Sequence, residues 1–486
     1  MSKHFWIGLA FIFAITVICY YPSFGHLLRG ETYTYLLDTK GVNSAYELVT
    51  KYSFYEKVRI YDPGDRWLFK PLLFVIVGIE KSLFGVNAIY WRIASFAMHL
   101  FATFALYRLL WRLKPGVLAV SVTLFFSIMY ITVNTVLYEQ IASYMLFVGL
   151  TLTAIYCLAD KKRLWLAVTS IAISAFIYEI GIVLAVVFIL HILYWRRAFS
   201  SNWRKWAIGF SGILPVYIAI YLAEKLINPA PGLFTEYGKL ATIQTIMVGL
   251  EAMPIVTWNW LIHIAMPACY LIKPFPGLRG MASQVYDNPT SMIPLNALSL
   301  VGAVVVSGMV WIKAVKVRYQ FVILMGLVLL SFVGVISIFR VNTHGISYLK
   351  ENGFNAYMFT AFLAVLFYAL VAGKKSTVYE RRAIAGFLIV PIFLSGMQVY
   401  NLNRDIYLGE TVSREYFAYV DKFVNEHKNE PDFTFRSDSP LERQLTFRLF
   451  TVRWDPGERV HGNYTITEAL YADYWSDNPK YVLEYP

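Results

Sequence analysis

KKR-LWLAVTSIAISAFIYEIGIVLAVVFILHILY-WRR, residues 161–197, is the stretch that decides the fold. Its 31 central residues, Leu164 to Tyr194, lie between two basic clusters, Lys161-Lys162-Arg163 and Arg196-Arg197. A bilayer core of about 30 Å takes roughly 20 helical residues to cross. One continuous helix would reach about 46 Å and leave the two clusters on opposite faces. Basic loops collect on one side of a membrane, so the stretch is expected to fold back as a hairpin with arms of about 15 residues. The turn falls at Tyr178-Glu179-Ile180-Gly181. Turn backbone below the membrane surface survives only against protein or a wet cavity, which sets Glu179 near the floor of an outward-facing cavity.

The rest of the chain follows the same pattern. Of 486 residues, 58% are hydrophobic and only 15% charged, with a mean hydropathy of +0.52. Soluble domains carry about 25% charge, so an ordinary soluble enzyme is excluded, as are disordered, collagen-like and disulfide-scaffold classes. The formal charge of +12 divides into a net +17 over the first 400 residues and −5 from Asn401 onward. The positive charge sits in short loops: Arg108/Arg112/Lys114, Lys161/Lys162/Arg163, Arg196/Arg197/Arg204/Lys205, Lys313/Lys316/Arg318 and Lys374/Lys375/Arg381/Arg382. With Lys3 these hold 18 basic residues against Asp160 and Glu380. Such a bias marks cytoplasmic loops and attraction to anionic lipid, and gives no reason to invoke nucleic acid. Cys19, Cys157 and Cys269 all lie in apolar segments and imply no disulfide framework.

About eleven crossings satisfy the charge pattern: 5–24, 88–111, 117–135, 141–159, 164–178, 179–194, 206–223, 292–312, 321–339, 356–372 and 384–400. The first follows Met1-Ser2-Lys3-His4 and lacks a small-x-small cleavage site, so it reads as an uncleaved span with its start inside. Leu68–Phe84 and Ile255–Ile272 are left over and read as interfacial segments. The expectation is an all-α polytopic membrane protein with its N-terminus cytoplasmic. Its membrane domain covers 1–400, with outer loops 22–87 and 224–291. An extracytoplasmic C-terminal region, 401–486, follows as a small α/β cap. It is expected to hold a helix, Thr411 to His427, and strands at Phe433–Phe435 and Tyr481–Leu483.

Signatures of soluble enzymes are missing, with no His-Glu-x-x-His, Cys-x-x-Cys or Gly-x-Gly-x-x-Gly. What remains is a set of ionisable residues at the outer ends of spans, where such groups are costly and point to function. Glu31 and Asp38 open the first outer loop, Arg66 and Lys70 close it, and Glu139 lies between spans three and four. Glu179 caps the shallow hairpin, and Arg340 and Lys350, with His344 and Tyr348, follow the span 321–339. Each has a plain structural alternative: Glu139 and Glu179 read equally well as partners of Arg340 or Lys350. Asp62-Pro63-Gly64-Asp65 reads as turn chemistry, and His99 and His191 as hydrogen-bonded core residues. No acidic cluster calls for a metal or another cofactor.

The order of features resembles a family. A first span precedes a large outer loop with an acid near its start, in Gly30-Glu31. Lys70-Pro71-Leu72-Leu73 and Leu83-Phe84-Gly85-Val86-Asn87 follow, then a span opening Tyr90-Trp91-Arg92 and carrying His99. Tyr138-Glu139-Gln140-Ile141-Ala142 and Tyr178-Glu179-Ile180-Gly181 occupy the places of similar motifs in bacterial members. Over residues 1–400 this resembles the polyprenyl-phosphate-sugar-dependent membrane glycosyltransferases of the GT-C superfamily, among them protein O-mannosyltransferases and aminoarabinose lipid A transferases. Many relatives carry two adjacent acids where this chain has Gly30-Glu31, and an Arg-Tyr where it has Ser347-Tyr348.

The resemblance implies transfer of a hexose or pentose from a polyprenyl-phosphate donor to an extracytoplasmic glycan, lipid or protein, in a bacterial inner or plasma membrane. Glu31, or Asp38 in its place, would take the acceptor's proton. Arg66, Lys70, Arg340 and Lys350 would hold the leaving phosphate, with Glu139 and Glu179 lining the substrate site. Relatives that transfer oligosaccharides use a divalent metal. The tail and the loop Glu224–Ser291 are expected to form the acceptor side. A polysaccharide polymerase or ligase, or a transporter of lipid-linked sugar, would use similar spans. The former would lean on an outer Arg/His pair rather than a lone acid near the first span, and the latter on internal repeats and broken helices, which are not read here.

Overall fold

A computed structural model describes residues 2–28, 32, 36, 71–137, 139, 142–227, 246–254, 256–257, 260–261, 319–351, 353–372, 377–439, 467, 470–471 and 474–483. Among the described residues, six helical segments are long and apolar enough to cross a bilayer: 3–25, 88–113, 143–160, 203–223, 320–338 and 378–409. Their outer surfaces carry large apolar side chains, such as Trp6, Phe11 and Ile18 on the first and Phe387, Ile389 and Phe393 on the last. Contiguous apolar surface of this kind has no place in water. The protein is an all-α membrane protein with almost no strand.

Helix α1 (Lys3–Tyr20) ends in a 3-10 turn, Tyr21–Gly25. After the first loop come α2 (Pro71–Phe84), α3 (Ala88–Leu113), α4 (Val117–Ser127), α5 (Tyr130–Leu137) and α6 (Ser143–Asp160). Proline opens α2, where its missing N–H is not needed, and the Asn87 side chain caps α3 by accepting from Ile89 N. At 14 residues the described α2 is roughly 21 Å long. The expected span 117–135 is not one helix: it breaks at Ile128-Met129 between α4 and α5.

The deciding stretch folds as expected, into α7 (Leu164–Ile177) and α8 (Ile180–Tyr194), with Tyr178-Glu179 at the turn. Gly181 makes the hairpin feasible, because a Cβ there would lie 2.5 Å from Ala175 N and 2.6 Å from Ala175 Cα. Between α6 and α7, Lys161 (φ 55°) and Arg163 (φ 58°) take the left-handed conformation and reverse the chain in three residues. Helices α9 (Trp203–Ser211) and α10 (Ile213–Ile227) form one bent span about Gly212. The expected span 292–312 lies outside the described residues, as does most of Ile255–Ile272.

Helix α11 runs Tyr319–Glu351, well past the expected end at 339. The continuation meets no proline and stops at Glu351-Asn352-Gly353, where α12 (Gly353–Val371) begins. Helix α13 (Val378–Gly409) starts with a capping box between Thr377 and Glu380 and continues nine residues beyond the expected end at 400. Helix α14 is Thr411–His427, matching the expectation. Strands β1 (Phe435–Ser437) and β2 (Tyr481–Leu483) pair in parallel, β1 two residues later than expected.

The helix ends sort into two sides. At one, Arg112 pairs with Asp160 at 2.7 Å, the Tyr368 hydroxyl donates to the Lys114 carbonyl, and Lys161 lies 5.7 Å from the Phe199 ring. Basic loops expected on a common face therefore meet. At the other end lie Glu139, the Tyr178-Glu179 turn and the start of α12. There the C-terminal region is seated: Tyr416, Phe417, Val420 and Phe435 share one apolar cluster with Leu28 and Leu36 of the first loop, Val77 of α2 and Trp91 of α3.

Candidate functional site

Among the described residues, a buried ion pair lies at this second end. Arg92, fully buried on the first turns of α3, forms an ion pair with the equally buried Glu139. Its Nη1 also donates to the carbonyls of Leu137 at 2.5 Å and Val136 at 3.3 Å, and its Nη2 to that of Leu27 at 3.4 Å. The end of α5, where carbonyls have no partner inside the helix, is thus tied to the first outer loop. Thr32 Oγ1, in that loop, donates to Glu139 Oε2 at 3.1 Å. Glu80, on α2, is 5% exposed and feels the Glu139 charge.

The expected site residues divide as follows. Glu139 is in this cluster, paired with Arg92, while the side chains of Arg340 and Lys350 lie outside the described residues. Glu179 caps α8 within the hairpin, half-buried, with Oε2 lacking a partner among the described residues. The Tyr144 and Tyr178 rings, 4.9 Å apart, join the start of α6 to this turn, and Tyr178 Oη donates to Asn355 Oδ1 at 3.4 Å. Arg340 and Lys350 are not in a loop but on the continuation of α11. Glu31, Asp38, Arg66 and Lys70 lie outside the described residues, although Thr32, next to Glu31 in the chain, is fixed on Glu139. No group of three His, Cys, Asp or Glu side chains converges among the described residues.

Arg92 and Glu80 are the residues that the sequence reading passed over as functional. Both signals were present. An arginine on an apolar span needs a buried partner. Leu73, Val77 and Glu80 share one helical face at core spacing, and Leu73 and Val77 are both buried.

The start of the first loop is stitched to the α13–α14 corner. His26 Nε2 donates to the Asn403 carbonyl at 2.7 Å, Leu27 N to Glu410 Oε2 at 3.0 Å, and Arg414 Nη1 to the Gly25 carbonyl at 3.5 Å. The tail therefore braces the segment leading into Glu31. Most of 224–291, expected beside the tail, lies outside the described residues.

A second polar centre lies deeper, at the α4–α5 break. His99 Nε2 donates to the Ser127 carbonyl at 2.9 Å, which leaves Nδ1 to accept from the Tyr357 hydroxyl at 3.0 Å. The Thr16 and Ser127 hydroxyls are 2.8 Å apart. His99 is the hydrogen-bonded core residue expected. His191 is buried against Phe199, with Nδ1 lacking a partner among the described residues.

Comparison of the chain with family models, with curated proteins and with solved structures finds no match.

Proposed function

We propose that the protein is a membrane glycosyltransferase that moves a hexose or pentose from a polyprenyl-phosphate donor to an extracytoplasmic glycan, lipid or protein. The observation that carries this reading is the Arg92–Glu139–Thr32 cluster, which holds the first outer loop, at the neighbour of Glu31, against the outer ends of α3 and α5. An acid next to Thr32 in the chain suits a base for a lipid-linked sugar at the membrane surface.

The chemistry needs little else. Glu31 takes the proton of the acceptor hydroxyl as its oxygen attacks the anomeric carbon. The bond from that carbon to the phosphate oxygen breaks, its electron pair stays on the phosphate, and the anomeric centre inverts. Arg92 is engaged by Glu139 and three carbonyls, so the cations for the leaving phosphate fall to Arg66, Lys70, Arg340 or Lys350. The polyprenyl chain stays in lipid.

The test is sugar transfer from a polyprenyl-phosphate-sugar extract by purified wild type and Glu31→Gln, both checked for folding. Wild type should transfer. Glu31→Gln should bind donor and lose at least about a hundredfold in turnover, the scale of a general base. Normal turnover in Glu31→Gln would move the base to Asp38 or Glu139.

One observation favours a second reading, carriage of lipid-linked sugar across the membrane. The break at Ile128-Met129 is the kind of interrupted helix on which transporters build sites. Here His99, Tyr357 and Thr16 fill the break with a neutral network, so this reading ranks second.

A further inference from the structure

Glu80 occupies a core position on α2 with a side chain that does not belong in a core. Leu73 and Val77 precede it on the same face and are buried as deeply. Both of its carboxyl oxygens lack a hydrogen-bond partner among the described residues. The charge acting on it is that of Glu139, whose own partners include Arg92 and Thr32, and the next residue, Lys81, points its Nζ toward the Leu36 carbonyl at 3.5 Å. Among the described residues, Arg92 and Glu139 form a matched pair and the Glu80 carboxyl stands without a hydrogen-bond partner.

An ionised carboxylate buried without a cation is strongly disfavoured. Burial, and after it the Glu139 charge, push the Glu80 carboxyl up to about 8. The neutral acid offers one O–H donor and one carbonyl acceptor side by side, and leaving such groups buried and unmet is costly. A fold keeps that arrangement where something else supplies the partners.

We propose that the Glu80 carboxyl is a ligand-binding group that hydrogen-bonds hydroxyls of the sugar carried by the lipid-linked donor. The inference rests on reading the outer face as the site of sugar transfer, and it names the moiety bound there. The charge balance selects a neutral polyhydroxy group over the phosphate. Arg92 is already paired with Glu139, so among the described residues a phosphate beside Glu80 would meet two carboxyl groups. A hydroxyl donates and accepts, which complements a carboxylic acid.

The test is labelling of the purified full chain, in detergent at pH 6.5, with a hydrophobic carbodiimide, which reacts with protonated carboxyls in apolar surroundings. The labelled positions are mapped by peptide mass. Glu80 should label, and a polyprenyl-phosphate-sugar extract from native membranes should protect it where polyprenyl phosphate alone does not. Glu80→Gln, which keeps a donor and an acceptor, should bind the extract within about threefold of wild type. Glu80→Leu should bind about tenfold more weakly, the loss of roughly one buried hydrogen bond. An unlabelled Glu80, protection by neither lipid or by both equally, or wild-type binding by Glu80→Leu would each overturn the proposal. Turnover is not read in this experiment. A protein that binds as described but transfers nothing would refute the glycosyltransferase reading and leave the Glu80 site standing.

Discussion

Arg92 and His99 sit seven residues apart on α3, about 10 Å along its axis, and both are fully buried. The His99 centre is neutral. One ring nitrogen donates to a carbonyl, the other accepts from a phenol, and the network closes the gap that the α4–α5 break opens. The Arg92 centre is charged. Its cation and Glu139 compensate each other, Thr32 brings in the first outer loop, and Glu80 remains over. Polar groups that close on themselves hold helices together. Polar groups left in excess at the membrane surface are where a ligand can be recognised.

The largest expected effect breaks this contrast outright. Arg92→Ala leaves Glu139 buried without its cation and three carbonyls without their donor. It should destabilise the protein by about 3–5 kcal/mol, against about 1 kcal/mol for Tyr357→Phe at the neutral centre. Thermal melts in detergent of the two variants decide it, and equal losses would erase the distinction.

A smaller effect sharpens the same contrast through pH. The native Glu80 carboxyl is raised to about 8 by burial and then by Glu139, whereas an unfolded glutamate titrates near 4.3. Between those values the native state holds a proton that the unfolded chain has released, so stability falls as pH rises from about 4.5 to 8. Glu80→Gln should remove that fall, raising the melting temperature at pH 8 and changing little at pH 4.5. The opposite pattern would mean that Glu80 is ionised and paired.

The smallest effect lies in the C-terminal region. Hydrogen bonds from His427 first and from Tyr481 next hold the exposed Glu430 carboxyl down at about 2. Its contribution is present above the unfolded value near 4.3 and is lost as pH falls toward 2. Pepsin should cut the α14–β1 connection of the full chain faster at pH 2 than at pH 4. Glu430→Gln should cut equally at both.

Charge arithmetic made the hairpin of α7 and α8 legible to within a residue, because two basic clusters 31 apolar residues apart allow few solutions. The α4–α5 break was not legible. No proline or glycine lies between Val117 and Leu137, and the features that accompany the break are contacts from α1, α3 and α12, which sequence spacing cannot show. Glu139 was read as an outer-end acid, with Arg340 or Lys350 as its structural partners, and Arg92 was not considered. Which face of α3 looks inward depends on packing, and only packing places Arg92 against Glu139. Glu80 was not singled out within the segment Leu68–Phe84. The face it shares with Leu73 and Val77 was visible at spacings of four and three, yet a carboxyl on an apolar face is readily taken for one that reaches water.

The most direct measurement compares sugar transfer from polyprenyl-phosphate-sugar extract by wild type, Glu31→Gln and Tyr357→Phe, each normalised to folded protein. Chemistry at the outer cluster predicts transfer by wild type and by Tyr357→Phe, and loss of most turnover in Glu31→Gln with donor binding retained. No transfer by wild type, or a loss in Tyr357→Phe with Glu31→Gln intact, would contradict it and shift function to the broken helix.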